Sequence, residues 1–290
     1  MQLSKLIGRN YYQVFKPYTK EELYAKGLVP TSDVQMILDQ GKNPNKIFNN
    51  MLKSGIDGIL IVSLNEKKWN LFDASKNMIL CSEWYGCVGN FRDGFSRVQR
   101  GDGKMNYIKP NGKSLRSEWY HYVGDFKNGF AFVRRDDGKY NFIKPDGSVL
   151  CDEWYDYVSY FKNGFAVVRR GDGKWNFIKT DGSVLCDEWY DYVSYFIDGF
   201  AEVQRDDGKC NFIKPDGKLL CSEWYGYVGY FHDGFARIRR GDLKWNFIKS
   251  DGSILSSEWY NLVYDFIDGF AEVQRYDGMW CRIDTNGDIV

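Results

Sequence analysis

The sequence predicts an all-β repeat protein, an open twisted array of about seven antiparallel meanders with three or four short strands each. Two observations predict this class. A Glu-Trp-Tyr motif returns every 35 residues, and short runs rich in β-branched and aromatic residues alternate with Asp-Gly pairs. A closed seven-bladed propeller is the alternative, because seven is a common blade number. The repeats begin and finish at the same phase, at Gly58 and Val290, with no split blade, which favours the open array.

The repeat length is fixed by two motifs. A Gly-Phe pair follows each Glu-Trp-Tyr motif at a constant distance. The Glu-Trp-Tyr motifs occupy residues 83–85, 118–120, 153–155, 188–190, 223–225 and 258–260. Both faces of the predicted strands carry apolar residues, so one meander cannot bury them alone, and we expect neighbouring units to stack.

Each unit has the pattern of a short meander. In one copy a first strand is predicted over residues 165–170 and a second over 174–179, joined by an Asp-Gly turn. A second Asp-Gly turn leads into a short third strand over 183–186. Residues 188–196, which we call the crossing segment, then pass to the next unit and can hold a fourth strand.

The stretch GDGKWNFIK at residues 171–179 also raises the question of a phosphate-binding loop. Such a loop places Ser or Thr after its Lys and lies between a strand and a helix, whereas Trp175 follows Lys174 here. The pair Asp172 and Gly173 also recurs from repeat to repeat. We therefore interpret the stretch as a hairpin turn, since Asp-Gly tolerates the positive φ that tight hairpins need.

The first 56 residues differ from the rest and predict a small α-helical N-terminal cap or docking segment, with the β-repeat domain spanning 57–290. Thr19 and Glu22 form a capping-box pattern before a helix that ends near Gly27. Ser32 and Gln35 repeat the pattern before a second helix. A third helix is predicted over residues 46–55.

The charge balance excludes several function classes. The chain has 39 basic and 39 acidic residues, which gives no bias towards DNA, RNA or an anionic membrane. No apolar run is long enough to span a bilayer, and no signal peptide is visible, so we expect a cytoplasmic protein without a membrane partner.

Catalytic and metal-binding patterns are missing from the sequence. Four of the seven cysteines, Cys81, Cys151, Cys186 and Cys221, share one repeat position that also accepts Arg and Ser, and no CxxC occurs. The two histidines lie at unrelated repeat positions, away from a nucleophile and an orienting acid. We therefore expect no enzyme activity, no cofactor and no metal.

The unit GDGKWNFIKTDGSVL resembles the bacterial WG repeat, whose core runs Gly-Lys-Trp-Gly-aromatic-Ile before a turn with Gly. The upstream phrase YFKNGFAVVRR resembles that family's Phe-x-x-Gly-x-Ala-x-Val segment. The resemblance covers roughly residues 57–290. It implies a repeat scaffold and no catalytic residue set.

One departure from the family pattern is itself periodic. Asn stands where the family has its second Gly, and Cys281 stands there in the last copy. Because Asn tolerates a left-handed backbone better than other non-Gly residues, we expect a positive φ or a bulge at this position. The positions are Asn70, Asn106, Asn141, Asn176, Asn211 and Asn246.

Two ladders of side chains follow the repeat. An Arg recurs at 100, 135, 170, 205, 240 and 275, and we expect it to pair with the equally periodic Glu of the Glu-Trp-Tyr motif rather than with phosphates. The Trp and Tyr of the same motif are expected in the core between units. If they were exposed, they would suit the stacking of sugars or bases.

Positions that vary in charge between repeats are expected to face solvent, because core positions do not tolerate such changes. They mark the candidate binding surface, and neutral drift on a solvated face is the alternative interpretation. The expected function is a non-enzymatic scaffold that binds a protein partner through this surface. The alternative is a glycan-binding module that uses repeated Trp and Tyr stacking. The candidate residues are Arg97, Phe132, Val167, Glu202, Arg237 and Glu272 on the first strand, and His121, Asp156 and Asp191 two residues beyond Trp.

Overall fold

The chain folds as an all-β repeat array. The computed structural model describes residues 31–39, 41, 43–46, 48–65 and 68–290, and within these the strands form seven antiparallel sheets. Two compact units divide the chain, Met1–Asp152 and Glu153–Val290. The predicted fold class of stacked antiparallel meanders is confirmed. The choice between an open array and a propeller stays a prediction, as does the domain boundary at residue 57.

The first unit contains one four-stranded sheet and two three-stranded sheets among its described residues. Among the described residues, the helix α1 precedes them and is followed by a 3-10 turn over Pro44–Lys46. The elements are α1 (Thr31–Asp39), β1 (Asn50–Ile56), β2 (Ile59–Asn65), β3 (Lys68–Asp73), β4 (Met78–Ile79), β5 (Cys87–Val88), β6 (Ser96–Gln99), β7 (Met105–Ile108), β8 (Tyr122–Val123), β9 (Ala131–Arg134) and β10 (Tyr140–Ile143).

The second unit contains four three-stranded sheets of one design, in which the first hairpin strand is always central. The strands are β11 (Tyr157–Val158), β12 (Phe165–Arg169), β13 (Trp175–Lys179), β14 (Tyr192–Val193), β15 (Ala201–Gln204), β16 (Cys210–Ile213), β17 (Tyr227–Val228), β18 (Phe235–Arg239), β19 (Trp245–Lys249), β20 (Leu262–Val263), β21 (Phe270–Gln274) and β22 (Trp280–Asp284).

The hairpin of each repeat matches the sequence prediction. In β12 and β13, Ala166 lies opposite Ile178 and Val168 opposite Asn176. The turn glycine Gly173 has φ of 85°, as the hairpin interpretation requires. The third strand differs from the prediction, because residues 183–186 contribute one isolated bridge, between Val184 and Ile178. The crossing segment supplies the third strand of each three-stranded sheet instead.

The crossing segment bonds to two successive hairpins. The N–H of Tyr190 donates to the carbonyl of Trp175 at 3.0 Å, and the N–H of Trp175 donates to the carbonyl of Tyr190 at 2.7 Å. Two residues later, β14 pairs with β15 of the following repeat. One short segment therefore joins the backbone hydrogen-bond networks of neighbouring repeats.

The Tyr of the Glu-Trp-Tyr motif belongs to the core between repeats, as predicted. Tyr190 is buried in one cluster with Phe177, Val193 and Phe196. The Trp of the motif is only half-buried, and Trp224 packs against the edge of that cluster. The expectation of a buried aromatic core therefore holds fully for the Tyr and in part for the Trp.

The periodic Asn positions do not have the predicted backbone conformation. Asn176 lies in a regular strand, is fully buried and does not have a positive φ. Its side-chain amide donates to the carbonyls of Cys186 at 2.8 Å and Glu188 at 3.0 Å, and its oxygen accepts from the N–H of Phe177. Because these bonds hold the start of the crossing segment, Asn is retained for hydrogen bonding rather than for a left-handed backbone.

The predicted helical cap is not supported. The first predicted helix lies outside the described residues, and the second corresponds to α1, which begins one residue before Ser32. The third prediction is wrong, because residues 50–56 form β1, which pairs with β2. Pairing with a strand satisfies the backbone of this segment despite its helix-like pattern, which is a case of tertiary structure overriding local preference.

Helix α1 packs on the first sheet. Val34 and Leu38 are fully buried in a cluster with Phe48 and Phe72. Gln35, predicted as part of a capping box, instead accepts a hydrogen bond from the N–H of Ile79 at 2.8 Å. The helix is thereby bound to β4, at the edge of the first sheet.

Candidate functional site

The Arg ladder stacks on the Trp ladder. The guanidinium carbon of Arg170 lies 4.0 Å from the ring centroid of Trp189, which belongs to the following repeat. The same relationship holds for Arg100 and Trp119 at 3.8 Å, Arg205 and Trp224 at 4.2 Å, and Arg240 and Trp259 at 3.9 Å. These arginines therefore link repeats through their planar faces.

The expected Arg–Glu pairing is correct only at certain repeats. Arg100 bonds Glu83 at 3.0 Å, and Arg275 lies 3.9 Å from Glu258. The prediction is wrong for Arg170, Arg205 and Arg240, each of which pairs with the Asp two residues later in its own hairpin turn. That Asp is closer in the chain and projects from the same turn, so the motif Glu is not needed as a partner.

Two of the candidate residues on the first strand are engaged within the chain. Arg97 bonds Asp125 at 3.0 Å, and Arg237 bonds Asp265 at 2.7 Å. In both cases the Asp is six residues after a Trp, in the crossing segment of the next repeat. In these two repeats, an Arg at the variable strand position is paired with an oppositely charged Asp in the following crossing segment.

The other first-strand candidates differ in exposure. Phe132 is half-buried and stacks on Tyr122, with 5.8 Å between the ring centroids. Val167 is only 5% exposed, so the expectation of a solvent-facing side chain is wrong there. Glu202 is half-buried and Glu272 is exposed.

The three candidates two residues beyond Trp lie near cations or anions of neighbouring turns. Asp191 bonds Lys174 of the preceding repeat at 2.8 Å. His121 is exposed, with its Nδ1 3.8 Å from a carboxylate oxygen of Asp136. Asp156 is half-buried. The nine candidates do not converge on one site, although Val167 lines the groove described next.

The second unit carries a groove of about 240 Å³ lined mainly by aromatic side chains. Its tyrosines are well exposed, and Tyr230 reaches 63%. Tyr157 meets Trp175 edge-on, with 5.4 Å between the ring centroids, and the Arg169 guanidinium lies 5.2 Å from the Trp175 centroid. We call this surface the tyrosine groove and define it by Tyr157, Val167, Trp175, Tyr192, Tyr195 and Tyr230.

Partial burial affects the acid groups of the groove. Burial and a hydrogen bond with Tyr195 raise the pKa of Tyr157. Burial, followed by the charge of Glu202, raises the pKa of Tyr192. Burial also raises the pKa of Glu202 above its ordinary value. Tyr157 and Tyr192 therefore stay neutral hydroxyl groups, able both to donate and to accept hydrogen bonds.

The sequence carries a signal for the tyrosine groove that charge variation between repeats does not reveal. The pattern Tyr-Val-x-Tyr occurs in three consecutive crossing segments, starting at Tyr157, Tyr192 and Tyr227. Outside these three copies the last Tyr is replaced, and Asp125 and Asp265 stand there in the flanking repeats. A local run of one aromatic pattern within a long repeat array indicates a specialised surface.

Within the described residues, no three His, Cys, Asp or Glu side chains cluster in a way that could hold a metal ion. The seven cysteines are free thiols. In the same part of the chain, no helix has the length and hydropathy needed to cross a membrane.

Fold and surface together define a β-repeat protein whose 35-residue units are joined by crossing segments. A family model described as a WG containing repeat matches residues 120–140 and 155–175, each running from a crossing segment into the following hairpin. These two matches support the resemblance of the chain to the WG-repeat family. Comparison with curated protein sequences gives no match.

Several solved β-proteins are similar to the chain at low identity. The computationally designed Ika8 protein is 16% identical, with a TM-score of 0.32 over 81% of this chain and 83% of that one. BamB from Moraxella catarrhalis is 10% identical, with a TM-score of 0.28 over 80% and 83%. The WD40 β-propeller domain of Doa1 is 11% identical, with a TM-score of 0.27 over 81% and 95%. Scores this low carry no argument about function.

Proposed function

We propose that this protein is a non-enzymatic scaffold that binds a protein partner through the tyrosine groove of its second unit. The observation that carries the proposal is the concentration of exposed Tyr side chains around one concave surface. Tyr and Trp are enriched at protein interfaces because they combine a large apolar area with a polar group.

The size of the groove favours an anchoring side chain over a small ligand. Small-molecule sites typically enclose about 300–1,000 Å³, whereas this groove has about 240 Å³. Val167 and Trp175 provide its apolar lining, and the exposed Tyr230 places a hydroxyl group beside it. Apolar lining with surrounding polar groups is the arrangement in which interface hot spots occur.

The burial of the Glu-Trp-Tyr rings disfavours the glycan-binding alternative. It requires exposed Glu-Trp-Tyr rings, but Tyr190 and its equivalents are buried, and the half-buried Trp rings are covered by arginines. Stacking of sugars on the groove tyrosines is therefore treated as an outcome of the test rather than as a second proposal.

The test compares the wild-type chain with a Tyr195→Ala/Tyr230→Ala variant as baits in lysate of the source cells. Captured proteins and glycans are quantified together. We expect a stoichiometric protein that the double variant loses, while a Tyr122→Ala control in the first unit retains it. Equal capture by both baits, or retention of glycan without protein, would overturn the proposal. Equal melting temperatures of the variants exclude unfolding as the cause.

A further inference from the structure

Arg169 is a half-buried cation at the border of the tyrosine groove. In the register of its sheet, it lies opposite Tyr157 on one neighbouring strand and opposite Trp175 on the other. Residues that lie opposite each other in a sheet share a face, so these three side chains form one row. Tyr157 and Trp175 both line the groove. The row therefore brings a guanidinium group between two aromatic side chains of the groove.

Arg169 lacks the acidic partner that comparable arginines of the second unit have. Arg170 bonds Asp172 at 2.8 Å, and Arg205 bonds Asp207 at 3.1 Å. Among the described residues, no carboxylate pairs with the guanidinium of Arg169, and its Nε is buried without a hydrogen-bond partner. Stacking on an aromatic ring uses the planar face of a guanidinium group and leaves the N–H groups at its edge for an acceptor.

Glu202, whose charge acts on Tyr192 of the groove, does not serve as this acceptor. It shares a hydrogen bond with Cys210 of its own repeat. Burial also raises the pKa of Glu202, which disfavours its charged form. The groove therefore combines apolar and aromatic walls with a positive charge that the described chain does not neutralise.

A matched copy of the row lies two repeats further on. Arg239 lies opposite Tyr227 and Trp245, and its guanidinium carbon is 5.4 Å from the Trp245 centroid. The corresponding distance at Arg169 is 5.2 Å. Arg239 is half-buried as well, but Tyr227 and Trp245 do not line the tyrosine groove. The row of Arg239 therefore serves as an internal control for the row of Arg169.

The neighbouring positions distinguish the two copies. Beside Arg169, the groove is lined by Val167 and Tyr195. Two repeats later these positions hold Arg237 and Asp265, which form an ion pair at 2.7 Å. An unpaired cation next to an apolar and aromatic surface is thus a property of the groove and not of the repeat.

We propose that the protein partner places an acidic segment in the tyrosine groove, in which the carboxylate of an Asp or Glu pairs with Arg169 and a neighbouring apolar side chain packs on Val167 and Trp175. The inference rests on the proposed function and names the chemistry of the partner. A guanidinium group matches a carboxylate with two parallel hydrogen bonds, and the aromatic row shields this pair from water. Charge complementarity at Arg169 therefore selects an acidic partner.

The number of available cations favours a carboxylate over a phosphate group. Recognition of phosphorylated segments typically uses a cluster of arginines. The cations next to Arg169 in the chain are already engaged, since Arg170 bonds Asp172 and Lys174 bonds Asp191. One guanidinium group matches the single charge of an Asp or Glu side chain.

The test uses a phage-displayed library of random peptides, selected on the full wild-type chain. We expect the selected peptides to carry Asp or Glu next to an apolar residue. The tightest peptide is then labelled with fluorescein and titrated with the chain by fluorescence anisotropy. Its affinity is expected to fall as the salt concentration rises, because ions screen a pair that is open to solvent.

Arg169→Gln is expected to weaken binding of this peptide about tenfold, because charge-assisted hydrogen bonds are lost. Gln is a suitable replacement, since Gln204 holds the same position in the next repeat. Changing the acid of the peptide to its amide weakens binding to the same extent, and the two changes together cause no further loss. Arg239→Gln, which removes the same stacking on a Trp ring, leaves the affinity unchanged.

The inference is overturned if no peptide is enriched, if the selected peptides lack acidic residues, or if wild type and Arg169→Gln bind the peptide equally. Tighter binding of a phosphoserine peptide than of its Glu counterpart would assign the site to phosphate and also overturn it. The Tyr195→Ala/Tyr230→Ala variant separates the two proposals. A peptide that needs these tyrosines but not Arg169 contradicts the inference alone, whereas equal capture of lysate proteins by this variant and wild type contradicts the proposed function.

Discussion

The guanidinium carbon of Arg205 lies 4.2 Å from the ring centroid of Trp224, and the ring of Tyr190 lies 6.4 Å from the same indole. Arg205 and Tyr190 both precede Trp224 in the chain by at least 19 residues, so the indole is held by groups of the preceding repeat. The guanidinium of Arg205 and the buried ring of Tyr190 together hold Trp224 at the junction between two repeats. This contact, rather than a Glu–Arg ladder, is the periodic interaction of charged side chains between repeats.

Replacing Arg205 by Ala is expected to destabilise the second unit by about 1–2 kcal/mol, because a half-buried cation–π contact and its packing are lost. Urea unfolding followed by tryptophan fluorescence measures the change. Asp207→Asn is the matched control, since it removes the ion pair with Arg205 but keeps an acceptor for the N–H of Lys209. We expect the control to change stability by less than about 0.5 kcal/mol. If the two variants lost equal stability, the ion pair would be the important contact.

Asn176→Ala is expected to cost about 2–4 kcal/mol. The substitution leaves the carbonyls of Cys186 and Glu188 without their buried donor and the N–H of Phe177 without its acceptor. Chemical denaturation at equilibrium measures the loss. Asn90→Ala, at an exposed position, serves as the control and should stay within about 0.5 kcal/mol of wild type. A small loss for Asn176→Ala would mean that water replaces the amide.

The hairpins could be predicted from sequence because their signals are local. Alternation places Ala166 and Val168 on one face, and the Asp-Gly pair requires a left-handed backbone at Gly173, which the structure has. The role of Asn176 could not be predicted in this way. Its partners are 10 and 12 residues away, and a periodic Asn fits a turn as well as a buried amide.

The difference between local signals and contacts distant in the chain also explains the other wrong predictions. Residues 50–56 have a helix-like pattern, and only pairing with β2 makes them a strand. Arg170 has both Glu and Asp at periodic distances, and spacing alone does not say which carboxylate projects from the same turn. The tyrosine groove depends on three repeats facing one way, which requires the register of the sheets.

Leu243 occupies a turn position held by Gly in other repeats, with φ of 67°. Its N–H still donates to the carbonyl of Arg240 at 3.0 Å, so the turn is kept despite an unfavourable backbone conformation. Leu243→Gly is expected to stabilise the protein by about 0.5–1 kcal/mol, as the strain exceeds the entropy that Gly adds to the unfolded chain. The reverse change, Gly173→Leu, should destabilise it in the same thermal unfolding assay. Destabilisation by Leu243→Gly would show that the exposed Leu side chain makes a useful contact.

Gly173 and Gly217 have similar positive φ values but different surroundings. Substitutions at these two positions therefore distinguish the cost of backbone strain from the cost of close packing. A Cβ at Gly217 would lie 2.6 Å from the carbonyl oxygen of Leu185, whereas a Cβ at Gly173 would meet nothing within 4 Å. Gly173→Ala therefore costs about 1 kcal/mol through its positive φ alone, and Gly217→Ala should cost at least about 2 kcal/mol more. Differential scanning calorimetry of both variants gives the comparison. Equal losses would mean that the chain near Leu185 moves away without cost.

Alkaline pH is expected to destabilise the fold through buried thiols. Burial raises the pKa of Cys81 from an ordinary 9.0 to about 12, so above pH 9 the unfolded chain releases this proton while the folded chain keeps it. Because the unfolded state then binds fewer protons, stability falls as pH rises, by at most about 1.4 kcal/mol per pH unit for one thiol. The midpoint of urea unfolding, measured from pH 8 to pH 10, should fall less steeply for Cys81→Ala than for wild type. The comparison uses the slopes, since the cavity left by the substitution lowers stability at every pH. Parallel slopes would show that ionisation of Cys81 is not linked to folding in this range.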